Sequence, residues 1–241
     1  MRFAADLQKR FWFVPVLKGR FFLLLISLLL VFLIYPLFET AGARFHFKDI
    51  LFTVILLAAV YATKATRKIF IPVGIFGLLA LTMRGFAFAT SSVTFEIVSI
   101  LGYVVFFFTT IVIILILVLR ASRVTADTIS GAICVYLLSG VTWASIYSVL
   151  ELFHPGTFTF PASLQVSPEA TLSVQTAVRN RALVYYSFVT LTTLGFGDIT
   201  PATALARSLS TLEAVGGQLY LAVLIARLVG IHIVHSTAAP K

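Results

Sequence analysis

Charged side chains are scarce in this sequence. They make up 11% of its residues, whereas 60% are hydrophobic. A soluble domain is about a quarter charged and nearer half apolar. The composition therefore excludes an ordinary soluble domain. Because long apolar stretches recur along the whole chain, we expect an all-α membrane protein.

Cysteine and acidic residues are also rare. Cys134 is the only cysteine, so it has no partner for a disulfide within the chain. There are 9 Asp and Glu residues against 18 Lys and Arg. No patch of interleaved aromatic and basic residues accompanies this excess. We therefore expect no nucleic-acid partner and assign the basic residues first to membrane topology.

The apolar stretches predict six transmembrane helices, since about 20 apolar residues cross a bilayer as a helix. The predicted spans are Phe21 to Phe38, about Ile50 to Thr63, Ile69 to about Arg84, Phe95 to Leu119, about Thr128 to Phe153 and about Ala202 to Ser236. Basic residues in short loops set the orientation. With the N-terminus inside, the cytoplasmic segments hold twelve of the 18 Lys and Arg residues. We therefore expect a multi-pass protein of the cell membrane with both termini in the cytoplasm.

A short apolar segment precedes the last span. "ALVYYSFVTLT", Ala182 to Thr192, has about eleven residues, which is too short to cross the membrane. Such a segment enters the membrane and returns only where its backbone lines a water-filled cavity or is buried in protein. We therefore predict a re-entrant helix. "SPEA", which begins at Ser167, is typical of a helix start.

The returning segment reads "TLGFGD". Alternating glycines allow successive residues to take backbone conformations of opposite hand. That alternation would point the carbonyl groups toward one axis, and four copies around the axis would form stacked oxygen rings. Such neutral rings suit a dehydrated monovalent cation, whereas a ring of carboxylates would suit a divalent one.

This stretch resembles the filter of the potassium-channel superfamily, T-x-G-[YF]-G-D. The similarity extends from "YYSFVTLTTLGFGDITP" to the helix "VGGQLYLAVLIARLVG". It implies that the backbone of the filter residues binds K⁺, which would be the transported ion, with no cofactor and no enzymatic activity. The implied ligands are Thr193, Leu194, Gly195, Phe196 and Gly197.

The resemblance also implies roles around the filter. Asp198 would lie at the outer mouth, with Tyr185 supporting it from behind. Gly217 would be the hinge of the inner helix. The predicted cavity lining is Gln218, Leu221 and Ile225. Phe196 and Leu194 depart from the usual Tyr and Val or Ile, which puts the stability of the filter in doubt more than its selectivity.

Glu213 is an acid inside the last predicted span, where a charge is expensive and usually functional. It lies about 140° around the helix from Gln218. If Gln218 faces the cavity, Glu213 faces the pore helix or a neighbouring subunit and would support the filter. The alternative is a carboxylate that reaches outer water.

Basic residues are absent from the fourth predicted span, which rules out several gating charges there. We therefore expect residues 1–125 to form a four-span domain that is not a working voltage sensor. Residues 126–241 would form the pore domain, with outer helix, pore loop and inner helix.

Together these features predict a passive, potassium-selective channel subunit. Its expected partners are three further copies of itself, membrane lipid and a possible unidentified regulator. A weakly selective monovalent cation channel is one alternative. A non-conducting scaffold or regulatory membrane subunit is another. A potassium transporter with four pore loops in one chain is disfavoured because the sequence shows one such loop.

Overall fold

The computed structural model describes residues 19–34, 93–121, 124–164 and 172–237, with shorter pieces at 55, 57–61, 74–75, 77–79, 81–83 and 85–86. The main helices are α1 (Arg20–Ile34), α2 (Val93–Arg120), α3 (Ala126–Phe153), α4 (Leu172–Leu191) and α5 (Ala204–Thr237). Two short strands, β1 (Phe158–Thr159) and β2 (Thr200–Pro201), and a 3₁₀ turn at Ala162–Leu164 complete the described elements.

Three described helices are long and apolar enough to cross a membrane: Thr94–Arg120, Ala126–Phe153 and Ala204–Gly230. They correspond to the predicted fourth, fifth and sixth spans. A shorter apolar helix, Phe21–Leu30, lies within the predicted first span. The protein is thus mostly helical, as expected for an all-α membrane protein. Most of the predicted second and third spans lies outside the described residues.

The helix that was predicted to be re-entrant is longer than its apolar segment. The prediction placed it over Ala182 to Thr192, but α4 begins ten residues earlier, at Leu172. The prediction was wrong at this end because the first half of α4, "LSVQTAVRNR", is polar, and an apolar-length criterion detects only the second half. The helix start suggested at Ser167 lies outside the described residues.

Polar side chains inside the membrane helices find partners on their own helix. Thr142 and Ser145 donate hydrogen bonds to the carbonyls four residues earlier, at 2.8 and 2.9 Å, and Ser210 does the same at 2.8 Å. The first turn of α3 is capped by Thr125, whose hydroxyl accepts the Thr128 N–H at 3.2 Å. These bonds make hydroxyl groups compatible with lipid, because no water is available there.

The chain contains two compact units. The first comprises residues 1–72, 112–135 and 228–241. In it, the carboxylate of Asp127 accepts the Phe21 N–H at 3.0 Å, at the start of α1. Gly131 lies so close to Phe21 and Val118 that a Cβ there would stand 2.9 and 3.1 Å from their side chains. Asp127 and Gly131 therefore fix the start of α1 against α3.

The second unit comprises residues 73–111 and 136–227 and contains the predicted filter segment. Three rings, Tyr147 of α3, Phe158 of β1 and Tyr186 of α4, meet edge to face with centroids 5.2 to 5.5 Å apart. They form a buried cluster with Leu183, Ile199 and Ala206. β1 pairs antiparallel with β2, Phe158 opposite Pro201. The cluster and the strand pair hold both ends of the α4–α5 connection against α3.

Candidate functional site

The predicted filter residues follow directly from the C-terminal end of α4. The carbonyl of Val189, in the last turn of that helix, accepts the N–H groups of Leu194 at 2.9 Å and Gly195 at 3.3 Å. Thr193 N–H donates to the Thr190 carbonyl at 2.9 Å. The beginning of the filter segment is therefore bonded to the end of the helix. The negative end of the helix dipole lies at this point, which favours a cation nearby.

The backbone of the filter segment alternates in handedness. Thr193, Gly195 and Gly197 have positive φ angles of 58°, 61° and 79°, and the intervening Leu194 and Phe196 do not. The two glycines predict this alternation. They give no indication of the positive φ at Thr193, a β-branched residue that rarely takes one. Strain of this kind is typical of functional segments whose surroundings enforce it.

The Thr193 hydroxyl connects the filter segment to α5. It donates to the Thr192 carbonyl at 2.7 Å and accepts a long hydrogen bond from Gln218 Nε2 at 3.4 Å. The structure thus brings together two residues that were predicted to line the conduction path. The other two predicted lining residues lie farther along the same helix, Leu221 half-buried and Ile225 60% exposed.

Tyr185 lies beside both Phe196 and Asp198. Its ring stacks on that of Phe196, with centroids 6.5 Å apart and planes 8° from parallel. Desolvation and a hydrogen bond to Asp198 raise the pKa of the Tyr185 phenol. In this arrangement Tyr185 contacts the C-terminal end of the predicted filter segment at two points.

Glu213 is completely buried, with 0% of its surface exposed. The phenol of Tyr147 on α3 lies 2.6 Å from Glu213 Oε2, and the hydroxyl of Ser187 on α4 lies 2.5 Å from Oε1. The alternative in which this carboxyl reaches outer water is therefore wrong. The side chain faces α4, the predicted pore helix, but its support of the predicted filter stays a prediction. Sequence reasoning did not find Tyr147 or Ser187, because contacts between distant residues leave no local signal.

The C-terminal end of α4 also contacts α3 and α5. The Leu191 carbonyl accepts a hydrogen bond from the Tyr136 hydroxyl of α3 at 3.1 Å. The same carbonyl oxygen lies 2.7 Å from the position that a Cβ of Gly217 would occupy. The ring of Tyr136 also stacks on Tyr220 of α5 at 6.1 Å. Gly217, predicted as a hinge, is thus also a point of close helix approach.

The loop between α3 and α4 is held by a buried carboxylate. Glu151 accepts the N–H groups of Gly156 and Phe158, both at 3.0 Å. Arg179 of α4 approaches the same carboxylate at 3.6 Å. The Ala202 N–H donates to the Thr157 carbonyl at 2.8 Å, which joins this loop to the segment after the filter.

Residues 180–232 match a family model described as an ion channel. The match supports an ion channel. The matched range begins within α4 and ends within α5, and it includes the predicted filter, Glu213, Gly217 and the predicted cavity lining. Comparisons with curated proteins and with solved structures each found no match.

Proposed function

We propose that this chain is a subunit of a potassium-selective channel of the cell membrane and that four copies surround one pore. The observation that carries the proposal is the alternating backbone from Thr193 to Gly197. This backbone follows the end of α4 in a segment that matches an ion-channel family. The proposal is passive ion conduction rather than an enzymatic reaction.

The ligand chemistry supports a monovalent cation. Backbone carbonyls and the Thr193 hydroxyl are neutral oxygen donors, which replace water around an ion without holding it as tightly as carboxylates would. Asp198, the acid next to this segment, is engaged by Tyr185. K⁺ is the proposed transported ion, and no cofactor is part of the proposal.

The exposed surface of α5 supports assembly. Leu219, Val223 and Ile225 are 59%, 61% and 60% exposed in the single chain. The filter residues Leu194 and Phe196 are 58% and 64% exposed. Apolar side chains that are this exposed are covered by lipid or by protein. A ring of four copies would place lipid on the outside and the filter segments around a shared axis.

A weakly selective cation channel is the second candidate. Phe196 has no hydroxyl with which to hold the filter sideways, and its described ring contact is stacking on Tyr185. A looser filter would admit Na⁺ as well as K⁺. Both candidates keep the same architecture, so they differ only in ion permeability.

Uptake of radioactive rubidium tests conduction directly. Purified protein in liposomes loaded with K⁺ should concentrate external rubidium, and liposomes without protein should not. Excess external K⁺ should compete with the uptake more strongly than excess Na⁺. Absence of uptake at confirmed reconstitution would contradict conduction and favour a non-conducting scaffold or regulatory subunit.

A further inference from the structure

Glu213 lies where three helices meet. Its two oxygens face Tyr147 of α3 and Ser187 of α4, while Glu213 itself belongs to α5. Ser187 Oγ also lies 2.8 Å from the Gly140 carbonyl of α3. A continuous chain of four polar groups therefore runs from the Tyr147 phenol through Glu213 and Ser187 to Gly140 O.

The number of protons shared by these four polar groups depends on whether the Glu213 carboxyl is protonated. A serine hydroxyl has one proton, and a backbone carbonyl only accepts. If the Ser187 proton goes to Gly140 O, the Ser187 oxygen faces Glu213 Oε1 with lone pairs alone. Both close contacts are hydrogen bonds at once only if Glu213 supplies a proton to Ser187.

The burial of Glu213 is an independent reason to expect a protonated carboxyl group. An ionised carboxylate at 0% exposure needs a cationic partner or several strong donors. The two partners of Glu213 are a phenol and a hydroxyl, both neutral. Among the described residues, the titratable groups around it are also phenols: Tyr147 and Tyr136 on α3 interact with Glu213, and Tyr186 on α4 contacts Tyr147. A neutral carboxylic acid, with one donor and one acceptor, satisfies every contact.

We propose that Glu213 keeps its proton at neutral pH and donates it to Ser187, so that a neutral relay ties α5, α4 and α3 together. Tyr147 donates to Glu213, Glu213 donates to Ser187, and Ser187 donates to the Gly140 carbonyl. The relay holds α4 one to two turns before the filter segment begins. Its effect on ion conduction rests on the proposed function, whereas the proton itself does not.

Because of this relay, the stability of the folded protein depends on pH. At neutral pH the folded protein holds a proton that a solvated glutamate would have released. Stability therefore falls as pH rises, since the folded state binds more protons than the unfolded state. At alkaline pH, loss of the Glu213 proton would leave two acceptors facing each other and release α4 from α5. Conduction would decline over the same pH range.

Substitutions separate the neutral state from the ionised one. Glu213→Gln keeps one donor and one acceptor, which matches a protonated glutamate and not an ionised one. This variant should assemble like the parent and lose the alkaline instability. Glu213→Leu breaks the relay at every pH. Glu96→Gln, an acid in the first turn of α2, is the matched control and should retain the alkaline instability.

Infrared difference spectroscopy of the purified parent protein tests the proton itself. We expect a carbonyl band of a buried carboxylic acid at neutral pH that is absent from Glu213→Gln and present in Glu96→Gln. In Ser187→Ala, the Glu213 proton loses its acceptor, so the band should move to higher frequency. A spectrum that is the same in parent and Glu213→Gln would overturn the proposal, as would an unmoved band in Ser187→Ala.

Thermal melting as a function of pH provides the second readout. The melting temperature of the parent should fall between neutral and alkaline pH, and that of Glu213→Gln should stay level. Equal falls in both would contradict the relay. Neither measurement needs ion flux, so failed rubidium uptake with the expected infrared band would reject the channel and leave the protonated relay standing.

Discussion

At the two glycines of the predicted filter, backbone conformation and not lack of space opposes a side chain. Gly195 and Gly197 have φ angles of 61° and 79°, and a Cβ at either would meet no atom of the same subunit within 4 Å. The cost of a side chain is therefore the left-handed conformation, on the order of 1–2 kcal/mol per residue. A residue that relaxes to the right-handed region turns its carbonyl away from its neighbours.

We predict that Gly195→Ala or Gly197→Ala abolishes selection of potassium over sodium. Gly156→Ala is a matched control, because Gly156 also has a positive φ, 89°, and open space around its Cβ position, but lies outside the filter segment. Permeability ratios from bi-ionic currents give the measurement. Unchanged selectivity in both filter variants would remove these carbonyls from the ion path.

Gly217 differs from its neighbour Gly216 in local space. A Cβ at Gly217 would lie 2.7 Å from the Leu191 carbonyl oxygen, whereas one at Gly216 would meet nothing within 4 Å. Overpacking of this kind costs typically about 1–3 kcal/mol. We predict that Gly217→Ala lowers thermal stability by that amount. Gly216→Ala should be neutral or stabilise the helix by about 0.5–1 kcal/mol. Equal effects in melting experiments would argue against close packing at Gly217.

Among the structural elements, the loop after α3 is held by one buried carboxylate. The side chain of Glu151 is 4% exposed, whereas that of its ion-pair partner Arg179 is 43% exposed. Glu151 binds two backbone N–H groups, and that of Phe158, which is buried, would cost about 1–3 kcal/mol if left unpaired. Because the guanidinium of Arg179 is largely in contact with solvent, we expect the ion pair itself to contribute only about 0–1 kcal/mol.

We therefore predict that Glu151→Ala strongly destabilises the protein and that Arg179→Ala has little effect. Thermal melting of both variants under the same conditions checks the contrast. If Arg179→Ala were the more damaging substitution, the ion pair and not the bonds to Gly156 and Phe158 would hold this loop.

Some of the helices and contacts could be predicted from the sequence, and others could not. The apolar runs predicted α2, α3 and α5 because length and hydropathy are local properties. The polar first half of α4 was missed for the same reason, since it carries no apolar signal. The cost of a charge in lipid left burial of Glu213 as one of two possibilities, and its neighbours Tyr147, Ser187 and Tyr136 were not predictable. They become neighbours only when three helices pack together.

At the scale of the whole molecule, the distribution of charge limits how the protein responds to voltage. α2, the described helix that corresponds to the fourth predicted span, carries only Glu96 near its start and Arg120 at its end. Each elementary charge that crosses the field contributes about 2.3 kcal/mol per 100 mV. We predict no steep voltage dependence of opening. A gating charge of several elementary charges per channel would show that a voltage sensor exists elsewhere in the chain.

Assembly is the other property of the whole molecule. The exposed apolar residues of α5 and the exposed filter residues require neighbours, and four identical subunits provide them in the proposed channel. The division into domains at residues 1–125 and 126–241, the six spans and the cytoplasmic termini stay predictions. Several of the residues on which these predictions depend lie outside the described ranges.

The reversal potential of currents through the purified protein is the most direct test of the central claim. With K⁺ on one side of a planar bilayer and Na⁺ on the other, a potassium-selective pore gives a reversal potential far toward the K⁺ equilibrium value. Gly156→Ala should give the same value as the parent. A reversal potential near zero in symmetrical total salt would show that K⁺ and Na⁺ pass equally well, and potassium selectivity would then be contradicted.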